Sequence, residues 1–123
     1  MDLSLHDLTA FVTGASGGIG EGLLSAFAAE GARVVAHSRR GVPAGERVLS
    51  VTGDVRDPAG LDEAMRAGER AFGRVDVCVA NAGIWPAEAL PLHALPEARI
   101  REVMEINLLG RHDQRRRRGR WIR

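Results

Sequence analysis

Eight residues near the N-terminus, Thr13-Gly14-Ala15-Ser16-Gly17-Gly18-Ile19-Gly20, offer the plainest chemistry in this sequence of 123 residues. Glycines let a chain turn sharply and let its amide N–H groups come close to a ligand. Amides at a helix N-terminus lack partners and carry partial positive charge, so such a loop can bind phosphate oxygens. A glycine cluster also serves any tight turn. Its place here, between an apolar run and a helically spaced one, favours the binding role. Three other groups could carry chemistry: His37-Ser38-Arg39-Arg40, Asp54-Val55 and Asn81-Ala82-Gly83, with Asn107 further on. His6, His37, His93 and His112 are scattered and none is spaced around Cys78 as a metal ligand would be, so no metal site is expected.

Composition excludes some mechanisms. The sequence holds no tyrosine, and all 17 of its basic residues are arginine. No phenol and no ammonium side chain is therefore present within these residues. One cysteine rules out an internal disulfide, no apolar run reaches the ~18 residues that a bilayer span needs, and no secretory leader pattern opens the chain. These features point to a cytoplasmic protein and give no reason to expect a membrane partner.

The elements that must position these groups follow from periodicity. Strands are expected over 8–13, 33–38, 48–52 and 75–80, each a nearly continuous apolar run, with Cys78 a small apolar member of the last. Between them, a helix from Gly18 carries Ile19, Leu23, Leu24, Phe27 and Ala28 on one face and closes at Gly31. A second helix runs to about Phe72, with Asp57 as N-cap and Pro58 in the first position, and stops at Gly73. A loop with Pro86, Pro91 and Pro96 leads to a last helix over 96–109, with Ile100, Val103, Met104 and 106–108 facing inward. Alternating strands and helices imply a parallel sheet covered on both faces, doubly wound, with strand order 3-2-1-4 and a ligand crevice between strands 1 and 4.

The glycines depart from the common dinucleotide spacing: Gly14, Gly18 and Gly20 give T-G-x-x-x-G-x-G. That loop resembles the one of the short-chain dehydrogenase/reductase family. The resemblance continues in order through Asp54-Val55, Asn81-Ala82-Gly83 and Asn107 within Ile106-Asn107-Leu108, covering about residues 5–110 and about the first half of such an enzyme. It implies a Rossmann-like α/β fold, here incomplete at about four strands. By the same resemblance Gly14, Ser16, Gly18, Ile19 and Gly20 line a pyrophosphate. Asp54 accepts from an adenine amino group with Val55 against the ring, while Asn81, Ala82 and Gly83 border the ribose and nicotinamide side. Asn107 is the asparagine that holds a water in the family's proton relay.

The cofactor can be narrowed. An NAD site places an acid at the end of strand two, ~20 residues beyond the glycines. No acid lies between Glu30 and Glu46, and the corresponding place holds Ser38, Arg39 and Arg40 after His37. Guanidinium forks and a hydroxyl suit a 2′-phosphate, so NADP(H) is favoured over NAD(H). His37 is read as a strand-end residue.

The family transfers hydride between a nicotinamide and an alcohol or carbonyl carbon, using a Ser and a Tyr-x-x-x-Lys helix. The expectation is a chain truncated before those residues, with no meaningful turnover alone and with a small alcohol or carbonyl substrate only in a complete chain. The alternatives are a non-catalytic NADP(H)-binding module, or a protein whose tail binds nucleic acid or acidic partners. That tail is distinct: residues 1–110 hold 10 Arg against 15 acids, whereas 111–123 hold 7 Arg against Asp113 alone. Residues 1–110 are expected to form the dinucleotide-binding domain and 111–123 a disordered, solvated Arg-rich tail. Nucleic-acid binding is not expected. The uncovered edge of strand four is expected to promote self-association.

Overall fold

The computed structural model describes residues 3–87, 89–112 and 114. Its centre is a four-stranded parallel sheet of β1 (Thr9–Thr13), β2 (Arg33–Ser38), β3 (Val48–Thr52) and β4 (Val77–Val79). Strand order is β3-β2-β1-β4, as the alternating pattern implies. Register is continuous: Phe11 sits opposite Val35 on one side and Cys78 on the other, and Val35 in turn opposite Leu49.

Because side chains alternate across a strand, each central strand feeds two cores. Phe11 and Val35 join Leu61, Ala64 and Met65 of helix α2 (Pro58–Phe72), while Ala10, Val12, Val34 and Ala36 pack toward Leu23, Leu24 and Phe27 of helix α1 (Gly18–Ala29). Full burial of a side chain the size of Phe11, Leu61 or Met65 contributes about 1.5–3 kcal/mol. α2 begins as its sequence dictates, with the Asp57 carboxylate accepting from the Ala59 N–H at 3.1 Å and Pro58 in the first turn. It lies so close to β2 that a Cβ at Gly68 would come within 2.5 Å of Val35 Cγ2.

The fourth strand and the last helix differ in extent from expectation. β4 is three residues long, because the ladder to β1 runs only from Val77 to Val79. Val75 is nevertheless fully buried, and Asp76 is tied to Thr9 by two bonds, N–H to C=O at 2.8 Å and Thr9 N–H to Oδ2 at 2.9 Å. The last helix, α3 (Glu97–Met104), does not stop at Leu109. It widens into a π-helical stretch, Glu105–Gly110, and Arg111, His112 and Gln114 continue in helical conformation. Gln114 is 1% exposed. Of the tail expected to be disordered over 111–123, Arg111, His112 and Gln114 are helical instead, and 113 and 115–123 lie outside the described residues.

Nor does α3 bury the face assigned to it. Ile106 is buried, but Ile100, Met104 and Leu108 are exposed, as is Ile19 at the start of α1. Only three residues of β4 pair, and they pair with β1 alone, so among the described residues no further strand covers that side of the sheet. Among the described residues, no helix is long and apolar enough to cross a membrane.

Candidate functional site

The C-terminal ends of all four strands open onto one cleft of about 700 Å³. Its lining brings together Gly14, Ser16, Gly18, Ile19 and Gly20 after β1, Ser38, Arg39 and Arg40 at β2, Asp54 and Val55 after β3, and Asn81, Ala82 and Gly83 after β4. Every binding residue expected from sequence thus lines a single cavity, at the point where strand order reverses. Asn107 is not among the lining residues, whereas its neighbour Ile106 is.

The glycine loop is shaped by close approach. Gly14 has φ +66, where L side chains are strained, and a Cβ on it would lie 2.7 Å from Ala82 Cα. A Cβ on Gly20 would lie 2.2 Å from the Gly14 carbonyl oxygen, so helix α1 starts directly on top of the loop. Gly17 caps α1 with no side-chain hydrogen bond, so no side chain competes with a ligand for the first-turn amides.

Main-chain bonds join the loops to one another. The Ala15 N–H donates to the His37 C=O at 3.2 Å, and the Gly53 N–H donates to the Ser38 C=O at 3.0 Å. Arg40 reaches across to the glycine loop, its Nη2 donating to the Ser16 C=O at 3.1 Å. The Ser38 Oγ is buried and has no hydrogen-bond partner among the described residues. Arg39 beside it is exposed.

Asp54 is held as a carboxylate. Arg56 donates from Nε and Nη2 to its two oxygens, at 3.0 Å to Oδ1 and 2.6 Å to Oδ2, and this side-chain bonding lowers the Asp54 pKa from 3.8 to about 2. Val55 plays two parts, lining the cleft while packing with Ala82 and Ile106 in the core. Its Cγ2 also meets the helix, since a Cβ on Gly110 would lie 3.2 Å away.

On the β4 side, Asn81 Nδ2 donates to the Thr13 and Gly14 carbonyls at 3.0 and 3.2 Å. The Ala82 N–H donates to Thr13 Oγ1 at 3.1 Å. Thr13 Oγ1 donates in turn to Gln114 Oε1 at 3.0 Å, a contact that composition concealed by making residue 114 look like tail. The Asn107 carboxamide binds the main chain of Ile84, so its side chain is a structural clip. A π-helical stretch adds a residue to one turn and is frequent at functional sites, and Asn107 lies inside this one.

His37 is 1% exposed and lines the cleft, its ring stacked on Phe11 with centroids 5.9 Å apart. Burial pushes its imidazole pKa down, against an opposing pull from the Asp54 carboxylate. Among the described residues, no cluster of three or more His, Cys, Asp or Glu gathers to hold a metal ion.

This arrangement can bind a diphosphate at the glycine loop, a base at Asp54 and a further anionic group at Ser38, Arg39 and Arg40. Comparison with known proteins places the chain among short-chain dehydrogenases. The family model for short chain dehydrogenase matches residues 8–113. The chain is 36% identical over 119 residues to a cis-2,3-dihydrobiphenyl-2,3-diol dehydrogenase of Pseudomonas sp. (strain KKS102), covering 88% of this chain and 43% of the relative. It is 42% identical over 121 residues to a cis-4-hydroxycyclohexanecarboxylate dehydrogenase of Sinomonas cyclohexanicum, covering 89% and 47%. Among solved structures it superposes on a 3-ketoacyl-(acyl-carrier-protein) reductase from Brucella melitensis complexed with NADH, with a TM-score of 0.89, 30% identity, and coverage of 96% of this chain and 51% of that one. The chain spans about half the length of the relatives it matches.

Proposed function

The chain belongs to the short-chain dehydrogenase family, and from that membership and the cleft we propose that it is an NADP(H)-binding unit of a hydride-transferring oxidoreductase. The carrying observation is the 37–40 corner. It lines the same cleft as the glycine loop, carries two arginines and no acid, and presents a buried Ser38 Oγ without a partner among the described residues. A 2′-phosphate brings about −1.5 to −2 charges and three strong acceptor oxygens. Ser38, Arg39 and Arg40 are donors of the right kind for it. The loop also fits a dinucleotide: Gly14 and Gly20 let it fold tightly on Ala82 and on its own backbone, while at Gly18, which lines the cleft, a Cβ would meet nothing within 4 Å, so the loop is open to a ligand there.

In this reading Gly14, Ser16, Gly18, Ile19 and Gly20 hold the pyrophosphate. Asp54 accepts from the adenine amino group, Val55 backs the base, and Asn81, Ala82 and Gly83 border the ribose and nicotinamide. When bound, the nicotinamide supplies a carbon that gives or takes hydride. The chain's own residues bind and orient. With no tyrosine and no lysine among its 123 residues, it carries no phenol–ammonium pair to move the matching proton, and we assign it no turnover of its own on an alcohol or carbonyl. The single cysteine suits a reducing, cytoplasmic setting. Exposed Trp85, Leu92, Met104 and Leu108 support a tendency to self-associate.

Thermal melts with each cofactor test the proposal. A ligand at ~100 times its Kd adds about 2.7 kcal/mol to stability. NADPH should raise the melting midpoint more than NADH does, and Arg39→Asp should reverse that order. Equal shifts from the two cofactors, unchanged by Arg39→Asp, overturn the NADP(H) assignment. The absence of any shift overturns dinucleotide binding itself.

A further inference from the structure

Gln114, three residues beyond Arg111 on the last helix, is buried as fully as the core. Its Oε1 accepts from Thr13 Oγ1 at 3.0 Å, whereas its Nε2 has no hydrogen-bond partner among the described residues. An unpaired amide in a dry place costs stability, and an apolar side chain of similar length, such as methionine, would avoid that cost. What the carboxamide brings to this place is its oxygen.

The bond it receives decides what Thr13 can accept. A hydroxyl has one proton. With that proton on Gln114, a lone pair of Thr13 Oγ1 faces the Ala82 N–H, which donates to it at 3.1 Å. The Val79 C=O, the other acceptor within reach of the hydroxyl, is 3.5 Å away. Arg111 Nε donates to the C=O of the same Ala82 at 3.4 Å. One turn of helix therefore governs both main-chain groups of Ala82, directly from Arg111 and through Thr13 from Gln114. Ala82 lines the cleft, and the glycine loop turns against it: a Cβ on Gly14 would lie 2.7 Å from Ala82 Cα.

We propose that Gln114 is a positioning residue for the dinucleotide site, its carboxamide oxygen directing the Thr13 hydroxyl so that Ala82, and with it the turn at Gly14, is held in place. This rests on the dinucleotide reading above. Gln114 does not itself line the cleft, so its effect on binding passes through Thr13 and Ala82.

NADPH titration of the full chain, ligand-free melts and amide hydrogen exchange test this together. Gln114→Met keeps the length and loses the oxygen. Its affinity for NADPH should fall about two- to tenfold, the size of one lost hydrogen bond, while its ligand-free melting midpoint stays level or rises. The Ala82 amide should lose protection, and the Val12 and Val35 amides of the central strands should keep theirs. Gln114→Leu serves where the methionine does not fold. Thr13→Val removes the hydroxyl, and in that background Gln114→Met should weaken binding no further, because the two side chains act as one unit. A glutamine that only fills space would leave affinity and the Ala82 amide unmoved, or would lower midpoint and affinity in step. Either result overturns the inference alone, as does an undiminished loss in the Thr13→Val background, or failure of both Gln114 variants to fold. If the unaltered chain binds no NADPH, the reading beneath it falls as well.

Discussion

The Asn107 carboxamide grips both main-chain polar groups of Ile84: its Oδ1 accepts the Ile84 N–H at 2.8 Å, and its Nδ2 donates to the Ile84 C=O at 2.7 Å. These two bonds fasten the last helix to the segment that follows β4. Asn81, Ala82 and Gly83 sit immediately before the clip, so their position in the cleft depends on it. A helix-interior asparagine would ordinarily be a poor choice, since its side chain competes with main-chain hydrogen bonding. Here the π-helical stretch Glu105–Gly110 contains it, and the competing bond is made to another segment.

Replacing Asn107 with alanine removes both bonds and leaves the Ile84 groups in a partly buried place. At about 0.5–1.5 kcal/mol per bond, the loss should be about 1–3 kcal/mol. Urea denaturation checks it, with the midpoint falling and the slope unchanged, because the surface exposed on unfolding stays the same. An unaltered midpoint would show that the clip contributes nothing.

How much of this could be read from the sequence differs between the sheet and its far side. Strand order and the cleft residues were legible because parallel buried strands are near-continuous apolar runs, and because glycines at 14 and 20 mark a corner where side chains do not fit. Pairings between distant segments were not. The partners of Asn107 and of Asn81 are main-chain groups of no particular residue type, and main-chain partners leave no mark on a sequence. Gln114 stands among arginines, so its composition suggested solvent, yet its side chain reaches Thr13 within the buried crevice. The apolar residues of α3 were expected inward from periodicity. Periodicity reports that a face is apolar, not that something covers it, and Ile100 and Met104 remain exposed.

Two glycines two residues apart in α1 make opposite predictions. Gly20 and Gly22 both lie in α1, but a Cβ at 20 would sit 2.2 Å from the Gly14 carbonyl oxygen, whereas a Cβ at 22 meets nothing within 4 Å. Gly20→Ala must push the helix off the loop, an overpacking that costs about 1–3 kcal/mol, and NADPH binding should weaken by more than tenfold. Gly22→Ala gains helix propensity and should stabilise the chain by about 0.5–1 kcal/mol with affinity unchanged. Calorimetric titration and melts of the pair separate the outcomes. Should Gly20→Ala bind normally, the loop's close packing is not what shapes the phosphate site.

Arg56 should control where Asp54 titrates. Its side-chain bonds to the carboxylate hold that group at about 2, down from 3.8, so the charged form is favoured by folding. The sign follows from linkage. An acid with a depressed folded pKa contributes stability that is complete above its unfolded value and is lost as pH falls through the folded one. For Asp54 that window runs from 3.8 down to about 2, so the carboxylate stays ionised, and able to accept from an adenine amino group, throughout the neutral range. Arg56→Ala removes the two donors, and carbon-13 NMR of the Asp54 carboxylate should show its midpoint climbing back toward 3.8. Affinity for NADPH at pH 7 should then change little, since the acid is ionised in both proteins, whereas at pH 4 the variant should lose more than the unaltered chain. A midpoint that stays at about 2 in the variant would mean that something other than Arg56 holds the charge, with the exposed Arg39 guanidinium the next group to remove.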